Sequence, residues 1–223
     1  MKNLKQYLYN PLCLACGSFF VNDHLFCEGC YRKKIQPIIG IKNKNLLSDR
    51  EAFYLMNWIP FESDMLSETV YRMKSDKCFQ AWNHYGKLAA EGLSENVAVE
   101  EIKYIIPIPG SKPSSLHSHV FAQILGCELR KPVLNILEKA SFASEQKRKS
   151  RLQRLNKTIK LREQFTAAPQ RLNLRDKHIL LVDDILTTGS SFIQSVEVLG
   201  DIQKATLMTL FYRTANANTV LVS

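Results

Sequence analysis

The chain has no apolar run long enough to cross a bilayer, no G-x-x-x-x-G-K-[ST] phosphate loop, and no internal repeat or low-complexity tract. The first absence excludes a membrane-spanning helix, which needs about 20 consecutive apolar residues. The second removes the partner that an acidic Walker B strand would require. Acidic residues are also scarce: 21 Asp and Glu stand against 30 Lys and Arg, a formal net charge of +9. Such an excess favours a polyanionic contact, whether nucleic acid, an anionic membrane surface or a phosphorylated ligand. The opening stretch MKNLKQYLYNPLCLAC lacks a continuous apolar core and a small-residue cleavage site, which argues against a secretory signal and for a cytoplasmic protein without membrane insertion. What remains, 223 residues with 45% hydrophobic side chains, suffices for one domain of ordinary size and a small appendage.

In a reducing compartment six cysteines argue for metal or catalysis rather than disulfides. Four of them, Cys13, Cys16, Cys27 and Cys30, form two C-x-x-C pairs separated by ten residues in CLACGSFFVNDHLFCEGC. Each pair can wrap two thiolates round one ion, and the loop brings the second pair to the remaining corners of a tetrahedron. This is the ligand set of a structural Zn²⁺ site, closed to substrate. Gly17 and Gly29 suit the turns beside the knuckles, and His24 is a spare ligand that a filled shell does not need. Cys78 and Cys127 stand alone among apolar neighbours and are expected as small core residues.

Residues 33–50 mix lysine, asparagine, proline and glycine without periodicity and read as a linker or irregular edge. DMLSETVYRMK from Asp64 and CFQAWNHYGKLAAEGL to about Leu93 carry helical periodicity, with a break near Ser75 and Asp76. KYIIPIPG, PVLNIL, HILLVDD and KATLMTLFYR read as strands, HVFAQILGCEL and SSFIQSVEVLG as helices. Alternating strands and helices imply an α/β fold: a mostly parallel sheet with flanking helices. The expected division is a Cys₄ module with linker over residues 1–45 and the α/β domain over residues 46–223.

The segment HILLVDDILTTGSS raises the functional question. Asp183 and Asp184 end an apolar strand, and ligands of an open parallel sheet bind beyond the carboxyl ends of its strands. The turn that follows carries Thr187, Thr188, Gly189, Ser190 and Ser191 into a helix N-terminus, where backbone N–H groups and hydroxyls can converge on a phosphate. The acids would repel that phosphate, so they need another partner. Vicinal ribose hydroxyls provide one, each donating a charge-assisted hydrogen bond to a carboxylate. The stretch therefore reads as a cradle for a ribose 5-phosphate. Two other readings stay open: a Walker B strand holding Mg²⁺, which lacks its phosphate loop, and acids with a purely structural role beside a helix.

LLVDDILTTGSS is similar to the phosphoribosyl-pyrophosphate (PRPP) motif of type I phosphoribosyltransferases, and IIPIPGSK, with Gly110 and Ser111, resembles the pyrophosphate loop of that group. Together with the Cys₄ pattern, the P-x-P strand end and RMKSD, the chain resembles the ComF (ComFC) competence family over essentially its whole length. The resemblance implies a type I phosphoribosyltransferase-like fold behind a structural zinc module, with Asp183 and Asp184 on the ribose hydroxyls, Thr187 to Ser191 on the 5-phosphate, and Mg²⁺ arriving with PRPP if the site is active. It also implies a role in natural transformation, the uptake of single-stranded DNA, with a helicase-like partner and the inner-membrane DNA channel. That would place the protein in the cytoplasm, peripheral to the inner membrane through those partners. Where family members carry R-G-F-N-Q after the P-x-P loop, this chain has KPSSLHSHVFAQ, in which Gln123 is the matching residue. An active PRPP-dependent phosphoribosyltransferase with an unidentified acceptor is the alternative, and a scaffold with an inherited site is a third. No catalytic residue is assigned.

The segment QKRKSRLQRLNKTIKLRE gathers Lys147, Arg148, Lys149, Arg151, Arg154, Lys157, Lys160 and Arg162 against Glu163. On a helix, Arg148, Arg151 and Lys160, or Lys147, Arg151 and Arg154, share a face and make a track for a nucleic-acid backbone. A solvated helix or a mobile loop over the site accounts for the same charge. His117 and His119 are expected at the surface.

Overall fold

The computed structural model describes residues 12–47, 50–60, 64–75, 78–110, 115–140, 159–166 and 174–214. The Ser111 expectation, Lys147 to Lys157 of the basic track, and Asp76 lie outside them. The sheet is built round β6 (His178–Leu186), whose first five residues are all buried. A strand covered on both faces needs apolar side chains at every position, which is why HILLV shows no alternation. β6 pairs in parallel with β7 (Lys204–Arg213) on one side and β3 (Ile102–Pro107) on the other. β7 pairs in parallel with β2 (Arg50–Trp58), and β1 (Lys42–Leu47) closes that edge antiparallel to β2. The order is β1-β2-β7-β6-β3, the mostly parallel sheet expected from the strand and helix alternation.

Four helices cover the faces: α1 (Asp64–Ser75), α2 (Phe79–Asn96), α3 (His117–Leu129) and α4 (Ser190–Leu199). Successive strand residues point to opposite faces. Accordingly Leu180 and Val182 join one apolar cluster with Trp82 and Tyr85 of α2 and Phe121 and Leu125 of α3, while Ile179 and Leu181 join another with Phe192 and Val196 of α4. A Cβ on Gly86 would lie 2.6 Å from Ile124 Cγ2, so α2 and α3 approach at a distance that the missing side chain allows.

The residues round the cysteines join the first of these clusters through Cys13, Leu25, Phe26 and Ile35. The Tyr85 hydroxyl donates to the His24 carbonyl at 2.9 Å, and His24 stacks on Tyr31 with ring centroids 3.8 Å apart. His24, a spare ligand in the sequence, is thus an internal prop whose Nδ1 accepts from the Phe26 N–H at 3.3 Å.

Several expectations need correction. Of the two readings of residues 33–50, the irregular edge holds and the linker does not: a helical run ends at Ile38, and Lys42 to Leu47 form the edge strand, whose register with β2 shifts between Asn45 and Leu47. β2 gave no sequence signal, because five consecutive buried residues, Ala52 to Met56, fit a buried helix segment as well as a strand. PVLNIL is reduced to a single parallel bridge, Ile105 to Val133. Pro132 has no N–H to extend the ladder and serves only as acceptor, from the Ile105 N–H at 3.0 Å. The regular strand follows later as β4 (Leu137–Lys139), antiparallel to β5 (Ile159–Leu161) in a separate two-stranded sheet. Lys160 therefore lies on a strand and pairs with Glu138 at 3.1 Å, so it does not share a helical face with Arg148 and Arg151. Cys127 is exposed on α3 rather than in the core, whereas Cys78 is half-buried against it. Among the described residues no helix is long and apolar enough to cross a membrane.

At the amino end of β6 the buried His178 shares a 2.9 Å hydrogen bond between Nε2 and Thr206 Oγ1, while its Nδ1 has no hydrogen-bond partner among the described residues. Burial pulls its pKa down, helped by Lys204 and opposed by Glu101 and Glu51. A histidine held neutral in the fold contributes stability that is complete above its unfolded value, about 6.5, and is lost as pH falls towards the folded value. The expected result is that between about pH 7.5 and about pH 5.5 the urea midpoint drops further for the wild type than for His178→Gln.

Candidate functional site

The carboxyl ends of the parallel strands open into a cleft of ≈ 820 Å³. That volume is in the range of small-molecule sites. Trp58 of β2, Asp183 and Asp184 of β6 and Arg213 of β7 line it from the strand ends, Pro109 and Gly110 from the turn after β3, and Tyr71 and Lys74 from α1. Thr187 and Ser191 enter it from the loop that starts α4.

Strict alternation would send Asp183 and Asp184 to opposite faces of the sheet, yet both line this cleft. The alternation that holds to Val182 breaks at the acids, since Ile185 packs with the α2–α3 cluster and Leu186 with the α4 cluster. The Asp184 N–H donates to Asp183 Oδ1 at 2.8 Å. Burial first, and then the charge of Asp184, push the Asp183 carboxyl well above the usual carboxylate range. Asp184 is held differently: Lys74 Nζ stands 2.8 Å from its Oδ2.

The hydroxyl loop follows directly. Gly189 has φ +80°, a left-handed conformation that disfavours any Cβ, and a Cβ there would meet Leu46 Cδ1 at 3.0 Å. α4 starts one residue later, so the N–H groups of its first turn have no acceptor within the helix. The Thr188 hydroxyl donates to Ser190 Oγ at 3.2 Å, and Ser190 N–H donates to Thr188 Oγ1 at 3.4 Å, which shapes the turn. Gly189 and Ser190 line a small cavity of ≈ 30 Å³ beside Asp183, and Thr188 is exposed at its edge. On the other side of the cleft, a Cβ on Gly110 would come within 2.6 Å of Ser115 Oγ, so a side chain there would require Ser115 to shift.

The structure thus brings Asp183, Asp184, Thr187, Ser191 and Gly110 together, with Gly189 and Ser190 adjoining. Gln123 is exposed on α3 and does not line the cleft. His117, expected at the surface, lines it and stacks on Trp82 with centroids 5.8 Å apart. Burial lowers its pKa, with Asp184 opposing and Lys74 reinforcing that shift. Lys74, Tyr71, Trp58, Lys139 and Arg213 were not singled out from sequence. Only RMKSD pointed near Lys74, and it marked a helix break rather than a side-chain role. Arg213 lies over the Trp58 ring at 5.7 Å, and the Trp58 Nε1–H donates to Ser67 Oγ at 3.1 Å. Three cations and two carboxylates around one cleft suit a ligand carrying both phosphate and hydroxyl groups.

The four cysteines form a second centre, with their sulfur atoms all within 4.8 Å of one another. Cys16 Sγ and Cys27 Sγ are 3.6 Å apart. The edge of a tetrahedron with Zn–S near 2.3 Å is about 3.8 Å, so the group fits a tetrathiolate ion. Burial pushes the Cys13 thiol up, but backbone N–H groups of Cys27, Ala15 and Cys16 outweigh it and bring it to about 6. Cys30, hydrogen-bonded to the sulfurs of Cys27 and Cys16, is pushed up to about 12. Sulfurs so close cannot all be thiolates without a cation, and a divalent ion supplies one.

No family model matches the chain, and no curated protein does. Among solved structures, the chain is similar to adenine phosphoribosyltransferase from Saccharomyces cerevisiae, with 16% identity, 83% of this chain and 89% of that one covered, and a TM-score of 0.40. It is similar to orotate phosphoribosyltransferase from Aeropyrum pernix, with 14% identity, 86% and 85% covered, and a TM-score of 0.36. It is also similar to glutamine PRPP amidotransferase from B. subtilis, with 17% identity over 59% of this chain and a TM-score of 0.40; the match spans 26% of that longer protein.

Elemental analysis of the purified chain is expected to find stoichiometric zinc, to lose it with Cys27→Ala and to retain it with Cys127→Ala. Because the cysteine module shares a core with α2, chelation is expected to lower Tm as well.

Proposed function

We propose that the cleft binds PRPP or a related ribose 5-phosphate ligand. Asp183 and Asp184 accept hydrogen bonds from the ribose hydroxyls, and Thr187 to Ser191 hold the 5-phosphate at the start of α4. Gly110 and Ser111 would take the pyrophosphate side. The observation that carries this reading is the convergence of a strand-end acid pair and a hydroxyl-rich helix N-terminus on one cleft. Mg²⁺ would arrive with PRPP if the site is active. In the cysteine module a Zn²⁺ on Cys13, Cys16, Cys27 and Cys30 would be structural, and residues 1–45 and 46–223 would be its two modules.

Beyond the ligand, the reading is of a ComF-like protein acting in DNA uptake, which contacts single-stranded DNA through the basic segment from Lys147 to Arg162 and works with a helicase-like protein at the inner-membrane channel. Its support is the whole-chain resemblance and the +9 charge. A second reading, transfer of the ribose 5-phosphate to an acceptor nitrogen with release of pyrophosphate, is favoured by the aromatic wall of Trp58 and Tyr71, which offers a flat surface to a heterocycle.

Calorimetry is expected to show PRPP binding by the wild type, weakened about tenfold or more by Asp183→Asn and by Asp184→Asn, since each replaces a carboxyl oxygen acceptor with an amide donor. No heat with the wild type would remove the ligand reading, and pyrophosphate release with any acceptor would favour transfer. Binding of single-stranded DNA is expected to be salt-sensitive and to weaken when Arg148, Arg151 and Arg154 become alanine; unchanged affinity would remove the DNA half.

A further inference from the structure

The acid pair has a cation of its own. Lys74 sits in the last turn of α1, one residue before its end, and its ammonium lies 2.8 Å from Asp184 Oδ2. The Asp184 side chain is 14% exposed and that of Lys74 37%, so the pair is sheltered on the acid side and open on the cation side. Two neighbouring carboxylates in a half-buried cleft repel each other, and one of them stays charged only if a positive charge is near. Asp183 has no ion pair among the described residues, feels Lys74 only as a smaller opposing charge, and accepts the Asp184 N–H instead. Lys74 also faces the cleft beside Gly110, His117 and Thr187, where a phosphorylated ligand would lie.

We propose that Lys74 is the resident cation of the sugar site, a positioning residue whose ammonium takes the place on Asp184 that a divalent ion would otherwise occupy, and which moves to the ligand's phosphates when the sugar hydroxyls claim the carboxylate. The inference rests on the sugar-phosphate reading for its second half only. Its first half needs no sugar-phosphate ligand. A hard divalent cation seeks anionic oxygen ligands, and an ammonium already seated on Asp184 removes one of the two available from the acid pair. Lysine suits the exchange because its charge is a compact ammonium on a four-carbon stem with three rotatable donors, whereas a fixed guanidinium fork would hold the carboxylate in place. His117 feels both Asp184 and Lys74, Asp183 feels both as well, and Tyr71, Lys139 and Arg213 line the same cleft.

The test uses the full-length, zinc-loaded chain and needs no activity. Electron paramagnetic resonance of free Mn²⁺ measures binding by the wild type, Lys74→Met, Lys74→Arg and Lys74→Met/Asp184→Asn. Mutual exclusion between two ligands of one site predicts that Lys74→Met binds Mn²⁺ about tenfold more tightly than the wild type. Lys74→Arg is expected to keep the weak binding of the wild type, and the added Asp184→Asn to abolish the gain. Equal Mn²⁺ affinity in the wild type and Lys74→Met, with circular dichroism showing both folded, would overturn the proposal. The same proteins titrated with PRPP separate the two ideas. Without added Mg²⁺, PRPP affinity is expected to fall in Lys74→Met and to recover when Mg²⁺ is added. A Mn²⁺ difference with no PRPP binding by any protein would sink the sugar-phosphate reading and the exchange step, leaving Lys74 as the counter-ion of Asp184. PRPP binding lost in Asp183→Asn but indifferent to Lys74→Met, with Mn²⁺ binding equally indifferent, would keep that reading and remove Lys74.

Discussion

Two carboxylates on consecutive residues of one strand, at the mouth of a half-buried cleft, are an electrostatic burden that the surrounding structure has to answer. It does so unequally. Asp184 has an ammonium 2.8 Å away, whereas Asp183 is more buried in effect, its carboxyl pushed up by burial and by its neighbour. The pair sits where an open parallel sheet presents ligand sites. The fold supplies everything else the pair needs. β6 lies between β3 and β7, so its carboxyl end is flanked by them and by the start of α4, and the interior strands β2 and β7 carry Trp58 and Arg213 to the outer wall.

The loop after the acids is tied to the same geometry. Gly189 is left-handed and abuts Leu46 of the edge strand, so the turn is fixed from behind by a residue distant in sequence. The backbone of the turn is therefore set by packing as well as by its own hydroxyls. The cysteine module has a comparable role at the other end of the core, where His24, Tyr31 and Tyr85 join it to α2 through a stacked ring pair and a hydrogen bond.

Much of this was legible in the residues. Continuous apolar runs ending in turn residues gave β3 and β6, helical periodicity gave α1, α2 and α3, and C-x-x-C spacing gave the cysteine cluster. Asp183, Asp184, Thr187 and Ser191 could be placed on one site because they lie within nine residues of one another. What escaped was long-range or weakly patterned. β2 is a buried run without alternation, and the strand expected at PVLNIL lost its ladder to Pro132 and to pairing that begins only at Leu137. Lys74 and His117 reach the cleft from helices far from the motif, and no local pattern marks which face of a helix end will meet a strand end. Tyr71 was hidden for the same reason, and Trp58 because the strand that carries it, β2, gave no signal.

The central claim is that the bend after β6 clasps a phosphate while the acids hold the attached sugar. Amide chemical shifts during titration with ribose 5-phosphate test it most directly. The account predicts saturable shifts largest at Thr187 to Ser191, with Asp183 and Asp184 next and the cysteine module unmoved. Shifts that are absent, or centred on residues away from this cleft, would contradict it.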